Sequence, residues 1–344
     1  DNVAAVQDVA MRALYAAASG QVSLIVQISA RAGLNGAGTA FFDTKRTADY
    51  ALAASGVPFV IFRPAIVIGR DAHGGSALLR ALAAIPLFTP LVHPASPLQF
   101  VALSDVSEAV ARAIDGSIPA GSDLDLAAPE IRSLAQAVAR HRAWLGLAPV
   151  PTIAVPAWMA GLVARGADGL GQLGWRSPLR STAMIVAAGG VVADPGEPPF
   201  PLRSLDETLA ASPAGAQDLW FARLYLLKPV IFGGLSVFWL LSGLIALLSL
   251  DRSIDYLAPT GLPRPSAAGL AILTSLADIA LGLAVAVRRF AAPALTGMIL
   301  LSLFYLAGAT LYQPALWSDP LGPLVKVLPS IALALVAHSI LDER

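Results

Sequence analysis

Hydrophobic residues are distributed unevenly along the chain, and two different patterns meet near residue 228. Before this point, apolar runs are short and are interrupted by glycine, proline and charge. After it, four apolar stretches follow one another, at residues 229–250, 267–287, 291–312 and 321–341. A helix rises about 1.5 Å per residue, so about 20 residues cross the roughly 30 Å hydrocarbon core of a bilayer. Buried helices of a large soluble core are the alternative, but four successive stretches of this length favour a four-helix transmembrane bundle.

The first 220 residues alternate between β-branched runs and helix-like segments. Strands are predicted at residues 22–28, 58–62 and 98–103, with a helix at 43–55. Alternation of this kind is typical of an α/β domain with a parallel sheet. Two pairs have the spacing of a helical capping box, Asp105 with Glu108 and Ser133 with Gln136. We therefore predict an α/β domain at residues 1–220 and an all-α membrane domain at residues 221–344.

Composition and charge limit the classes of partner. Of 344 residues, 56% are hydrophobic and 13% are charged, which is more apolar than an ordinary soluble domain. The formal net charge is zero, so the basic excess of a nucleic-acid-binding protein is missing. The sequence has no cysteine, and His73 and His93 have no partners at ligand spacing. No metal site and no nucleic-acid partner are predicted.

Basic residues flanking the apolar stretches predict their orientation. Positive side chains are enriched in cytoplasmic loops. If the first domain is cytoplasmic, that side carries five basic residues and the opposite side carries two: Arg223, Lys228, Arg288, Arg289 and Arg344 against Arg252 and Arg264. The α/β domain and the C-terminus are therefore predicted to be cytoplasmic.

Several residues with chemical potential follow the predicted strands in a fixed order. Ser29 comes directly after the first strand, and Phe41 precedes Lys45 by four positions at the next helix. Residues i and i+4 share one helix face. Arg63 and Pro64 follow the second strand. Structural roles stay open for each of them: a strand-end hydroxyl, a core phenylalanine, a solvated lysine and an arginine that holds a surface carboxylate.

This order resembles the second half of a short-chain dehydrogenase/reductase, most closely the atypical extended group that includes the complex I accessory-subunit-like proteins. The resemblance covers about residues 1–220 and implies a partial Rossmann-like sheet. It implies catalytic roles for Ser29 and Lys45, and contacts to an NAD(P) cofactor from Lys45, Pro64, Ala65 and Ile66. In the family, a tyrosine occupies the position of Phe41 and donates a proton, which a phenyl ring cannot do. Tyr50 lies five residues after Lys45, on a different part of the helix, and is not predicted to replace that tyrosine.

A second departure from the family is the lack of its glycine-rich turn, which binds the cofactor pyrophosphate after the first strand. Residues 33–38, with the sequence GLNGAG, are rich in glycine, but they follow the Ser29 strand and so lie on the substrate side of the family's layout. We therefore expect this chain to be truncated at its N-terminal side and to lack that turn.

The C-terminal part resembles the DoxX-like four-helix membrane family over about residues 228–344. The resemblance rests on residues that occur in the family's order: Phe238-Trp239, Ser242-Gly243, Asp278, Trp317 and the turn at 319–323. It implies an association with quinone-linked membrane redox chemistry. Asp278 in the second stretch and Lys326 near the start of the fourth are candidates for a polar site in the membrane. They would bind a quinone headgroup or a proton, or form a structural hydrogen bond or ion pair between helices; Lys326 can also reach the interface.

Together, these features predict a multi-pass protein of the bacterial inner membrane. The first hypothesis is an NAD(P)-dependent oxidoreductase that acts on or near a membrane-soluble quinone or lipid. The alternative is a non-enzymatic nucleotide-binding scaffold, or an assembly or sensor protein at the membrane. A small transporter is less well supported because the four stretches show no internal repeat.

Overall fold

The computed structural model describes residues 3–30, 39–175, 177, 179, 181, 188–194 and 198–342. The chain forms two compact units, the first from Asp1–Asp168 with Ser177–Tyr225 and the second from Gly169–Arg176 with Leu226–Arg344. One continuous helix, Ala216–Leu248, crosses the predicted boundary at residue 220, and that boundary stays a prediction.

The described strands of the first unit form one three-stranded sheet and three two-stranded sheets, with mainly parallel pairing. The described residues form these strands: β1 Ile25–Ile28, β2 Phe59–Pro64, β3 Ile66–Ile68, β4 Thr89–Leu91, β5 Pro97–Leu98, β6 Phe100–Ala102, β7 Ser122–Leu126, β8 Arg132–Ser133 and β9 Thr152–Ala154. Strand β2 lies between β1 and β7 and is parallel to both. After Ala65 the chain continues as β3, which pairs in parallel with β6. Strands β4 and β9 form a parallel pair, and β5 and β8 an antiparallel one. The predicted α/β fold is confirmed.

The predicted third strand at residues 98–103 is divided in the structure. Strand β5 pairs with β8, whereas β6 pairs with β3. Gln99 lies between them and bonds to two other segments: its backbone N–H donates to Val191 O at 2.8 Å and its side chain donates to Ala128 O at 2.9 Å. Each half of the predicted strand therefore has its own partner.

Some described helices of the first unit begin at a capping side chain, namely Thr39, Ser133 or Ser204. The described helices of this unit are α1 Ala10–Ala18 (which continues a π-helical segment, Ala5–Val9), α2 Ala40–Ala53, α3 Gly74–Ala83, α4 Leu103–Ile114, α5 Leu134–Trp144, α6 Ala157–Gln172 and α7 Leu205–Ala211. The capping box of Ser133 and Gln136 is confirmed at the start of α5. The predicted capping role of Asp105 is wrong, because α4 begins at Leu103. The Asp105 carboxylate instead pairs with the side chain of Arg203 at 3.0 Å.

Strand β2 buries alternate side chains on its two faces, as a strand covered on both sides requires. Ile61 packs with Tyr15 of α1 and Leu52 of α2 on one face. Phe62 packs in a separate cluster on the other face, with Val106 of α4. The end of β2 is therefore fixed from both sides, and this end carries the candidate site.

The second unit is helical and strongly apolar. Its helices are α8 Ala216–Leu248 (which starts in the first unit), α9 Leu250–Tyr256, α10 Arg264–Ala286, α11 Ala291–Tyr312 and α12 Val327–Ser339. Among the described residues, three helical segments are long and apolar enough to cross a membrane: Ala216–Leu248, Arg264–Ala286 and Arg288–Tyr312.

The predicted fourth span at residues 321–341 is shorter in the structure. Helix α12 has 13 residues, or about 20 Å at 1.5 Å per residue, which is less than the core of a bilayer. Turns precede it: Gly322 has a positive φ of 58°, which glycine adopts without strain, and Pro323 has no backbone N–H to donate. The prediction from apolar composition therefore overestimated the length of this helix, because residues 321–326 do not belong to it.

Candidate functional site

The candidate residues meet at the carboxyl end of β1 and β2. Ser29 directly follows β1 and is buried, and its backbone N–H donates to Phe62 O at 2.8 Å. Lys45 lies on α2, and its Nζ donates to Ile28 O, the last carbonyl of β1, at 3.2 Å. The structure thus brings Ser29 and Lys45 to one strand end. In open parallel sheets, ligands bind outside the carboxyl ends of the strands.

Asp49 is the centre of a polar network that the sequence did not predict. It lies one helical turn after Lys45 and is only 2% exposed. Its carboxylate accepts hydrogen bonds from Ser29 Oγ at 2.7 Å, from Gln27 Nε2, and from Arg63 Nε at 3.2 Å. The available signal was its spacing of four residues from Lys45, which places both on one face of α2.

The network extends in two directions from Asp49. Tyr15 donates its hydroxyl proton to Gln27 Oε1, and burial, with the nearby Asp49 charge, raises the pKa of Tyr15 to about 12. On the other side, Arg63 forms a bidentate pair with Asp123 of β7, with one N–O distance of 2.8 Å. Arg63 therefore holds two carboxylates, in agreement with the structural alternative considered for it.

Lys45 is partly desolvated, whereas its aromatic neighbour is open to solvent. Burial lowers the pKa of Lys45 from 10.5, and the Asp49 carboxylate acts in the opposite direction. The Nζ lies 5.7 Å from the centre of the Phe41 ring, so the predicted side-by-side arrangement of the two is present. Tyr50 is exposed to solvent. Phe41 has no proton to give, and the hydroxyl proton of Ser29 is directed at Asp49.

The residues predicted to contact a cofactor fit it in part. The Lys45 ammonium has three N–H donors, and one of them bonds to Ile28 O, so the chemistry of the group fits a further bond to a ribose hydroxyl. The backbone N–H groups of Ala65 and Ile66 already donate within the sheet, to Leu126 O at 2.9 Å and Gln99 O at 3.2 Å. Pro64 ends β2 and has no N–H. The glycine-rich residues 33–38 lie outside the described residues.

A second polar cluster joins three helices of the second unit. Asp278 of α10 is 5% exposed and accepts hydrogen bonds from Tyr305 of α11 at 2.7 Å and Ser242 of α8 at 3.1 Å. Lys326 is exposed, and in the part of the chain that the structure describes no hydrogen bond or ion pair joins it to Asp278. The two predicted members of the membrane site are therefore not brought together. The hydrogen bonds of Asp278 fit the structural alternative.

Residues 236–335 match the model of the DoxX-like family. The C-terminal region is a DoxX-like domain. With its long apolar helices, this domain indicates a membrane protein. A search of curated proteins returns no match.

Solved structures similar to the chain include epimerases of nucleotide sugars. A putative epimerase from Burkholderia cenocepacia is 22% identical with a TM-score of 0.41, covering 64% of this chain and 71% of the epimerase. A nucleoside-diphosphate-sugar epimerase from Staphylococcus aureus is 17% identical with a TM-score of 0.44, covering 58% and 69%. The Bordetella bronchiseptica enzyme WbmG, in complex with NAD and UDP, is 20% identical with a TM-score of 0.37, covering 45% of this chain and 55% of WbmG.

The DoxX-like part of the predicted fusion is confirmed by the family model. The chain spans only a little over half of the length of WbmG.

Proposed function

We propose that the protein is a membrane-anchored oxidoreductase of the short-chain dehydrogenase type. Its α/β unit would bind a nicotinamide nucleotide, and its substrate would be a membrane-soluble quinone or lipid. The observation that carries this proposal is the position of Ser29 and Lys45 at the carboxyl end of β1 and β2, where parallel sheets bind their ligands. The DoxX-like domain in the same chain would bring this site to the membrane.

Each residue of the site has a defined task in this proposal. The nucleotide, when bound, supplies the hydride. Lys45 binds the ribose through the N–H donors that Ile28 leaves free, and it stays oriented by that carbonyl. Because burial lowers its pKa, the Lys45 ammonium is a stronger acid than an exposed lysine, and it lies 5.7 Å from the centre of the Phe41 ring. Asp49 holds Ser29 and Arg63 in place and takes no part in proton donation.

Nucleotide titration of the full-length protein tests this proposal. NADPH and NADH fluorescence should saturate with the wild-type protein in detergent. Lys45→Met should weaken binding at least tenfold, because the ribose loses a charged donor. Arg46→Met is the matched control, since Arg46 is the next residue on α2, exposed, and pairs with Asp43. Equal affinity of the two variants contradicts the role of Lys45.

A non-enzymatic nucleotide-binding scaffold is the second candidate. Phe41 favours it, together with the Ser29 proton that points at Asp49, because neither group can protonate a substrate. If this candidate is right, the wild-type protein binds nucleotide without turnover of quinone or carbonyl substrates. Phe41→Tyr should then create carbonyl reductase activity. Turnover by the wild-type protein that Phe41→Tyr leaves unchanged and Lys45→Arg abolishes supports the enzyme, because arginine keeps the charge but not the acidity.

For localisation, we propose the bacterial inner membrane with the α/β unit and the C-terminus in the cytoplasm. The excess of basic residues on that side supports this orientation; Arg344 lies outside the described residues. Topology reporters fused after Val287 and after Tyr312 should report cytoplasm and periplasm respectively. The reverse pattern contradicts the orientation.

A further inference from the structure

Helix α6 carries large apolar side chains on its exposed side and small ones on its buried side. Its buried residues are Ala164 and Ala167. Four of its exposed apolar residues lie at helical spacings that form one stripe: Trp158 (69% exposed), Met159 (45%), Leu162 (58%) and Val163 (56%). A surface helix of a soluble domain has the opposite arrangement. Exposed patches of this kind mark protein or membrane contacts.

The C-terminal end of the same helix belongs to the second unit. Leu173, just after α6, accepts the backbone N–H of Arg288 at 3.0 Å. Trp175 donates its indole N–H to Ala286 O at 2.6 Å, and the Arg288 guanidinium lies 5.8 Å from the centre of its ring. Ala286 is the last residue of α10, an apolar helix long enough to span a membrane. This contact therefore lies where the span ends, and tryptophan is enriched at that level of a bilayer.

We propose that α6 is an interfacial helix whose apolar stripe lies on the lipid surface, in the leaflet where α10 ends. We infer that lipid covers the stripe, because α6 is followed directly by Leu173 and Trp175, which contact the end of a membrane span. Its 16 residues extend about 24 Å, so the stripe begins within about 25 Å of that contact. A helix with one wide apolar face beside a membrane lies in the interface.

Charge makes a minor contribution to this contact. Arg165 and Asp168 follow the stripe along α6 and carry opposite charges. The contact is therefore expected to form on uncharged lipid and to resist salt, since apolar burial drives it. This inference does not depend on nucleotide binding.

Spin labelling tests the proposal, and the sequence suits it because it contains no cysteine. Leu162→Cys places a label on the stripe, and Ser107→Cys places one on an exposed position of α4 as the matched control. Both proteins are labelled at full length and reconstituted into phosphatidylcholine vesicles. Collision rates are measured with oxygen, which concentrates in lipid, and with a nickel chelate, which stays in water.

The Leu162 label should collide with oxygen in preference to nickel, and the Ser107 label should show the reverse preference. The result should persist in high salt, and Val163→Cys should repeat it. A Leu162 label as accessible to nickel as the Ser107 label overturns the proposal. So does a Leu162 label shielded from both reagents, because that result means that protein, such as a second copy of the chain, covers the stripe.

Discussion

Asp49 is expected to be the most sensitive residue of the α/β unit. Asp49→Ala removes the acceptor of Ser29 Oγ and of Gln27 Nε2, both of which belong to buried residues. A buried donor without an acceptor costs about 1–3 kcal/mol, so the two together predict about 2–6 kcal/mol. Arg63 adds little to this sum, since it is partly exposed and keeps its pair with Asp123.

Hydrogen exchange of the full-length protein measures this loss locally. A loss of about 2 kcal/mol or more should speed exchange of the β1 amides, Ile25–Ile28, by at least about 30-fold. The matched control is Asp123→Ala, which removes the other, exposed carboxylate of Arg63 and should change exchange by less than about fivefold. The reasoning fails if β1 exchange is unchanged in Asp49→Ala, or if the control has an equal effect.

Three further predictions concern packing, pH and the membrane cluster. Gly243→Ala should destabilise the protein in detergent far more than Gly233→Ala, because a Cβ at residue 243 would clash with the backbone oxygen of Ser275, whereas residue 233 has open space around it; equal melting temperatures contradict this. Burial lowers the pKa of His141 from 6.5 to about 4, so the unfolded state binds the proton first and about 3 kcal/mol of stability should be lost as the pH falls from 6.5 to 4. Replacing His141 with Gln should reduce this loss of stability at low pH, and a loss of unchanged size would contradict the role of His141. Asp278→Asn should retain more stability than Asp278→Leu, since an amide still accepts a hydrogen bond; equal stability argues against the interhelical bonds.

Local signals in the sequence predicted the outline of the fold correctly. The β-branched run before Ser29 forms β1, and the helix predicted at residues 43–55 is Ala40–Ala53, with Thr39 as its N-cap. The division of residues 98–103 into two strands was not predictable, because it depends on partners that are distant in the sequence. The length of α12 was overestimated because apolar residues can form turns as well as helices.

The positions of Ser29 after a strand and of Lys45 on the next helix were predictable from the sequence, but Asp49 and the hydrogen bonds of the site were not. The spacing of Phe41 and Lys45 predicted that both lie on one side of α2, as observed. Asp49 was missed because an aspartate among polar helix residues has the pattern of a solvated face. Its burial results from the packing of α2 against the sheet, which no local pattern records. In the DoxX-like domain, a hydrogen bond between Asp278 and another helix was one of the predicted alternatives, but the sequence did not show that Tyr305 would be the partner.

The most direct test of the central claim is a difference hydrogen-exchange map of the full-length protein in lipid nanodiscs, with and without saturating NADPH. A nucleotide bound at the carboxyl end of the sheet should slow exchange in peptides that contain the ends of β1 and β2, at residues 26–30 and 62–66. At an NADPH concentration close to the dissociation constant of the wild-type protein, Lys45→Met should remove most of this protection. Protection confined to other parts of the chain, or exchange that NADPH leaves unchanged everywhere, would contradict the account.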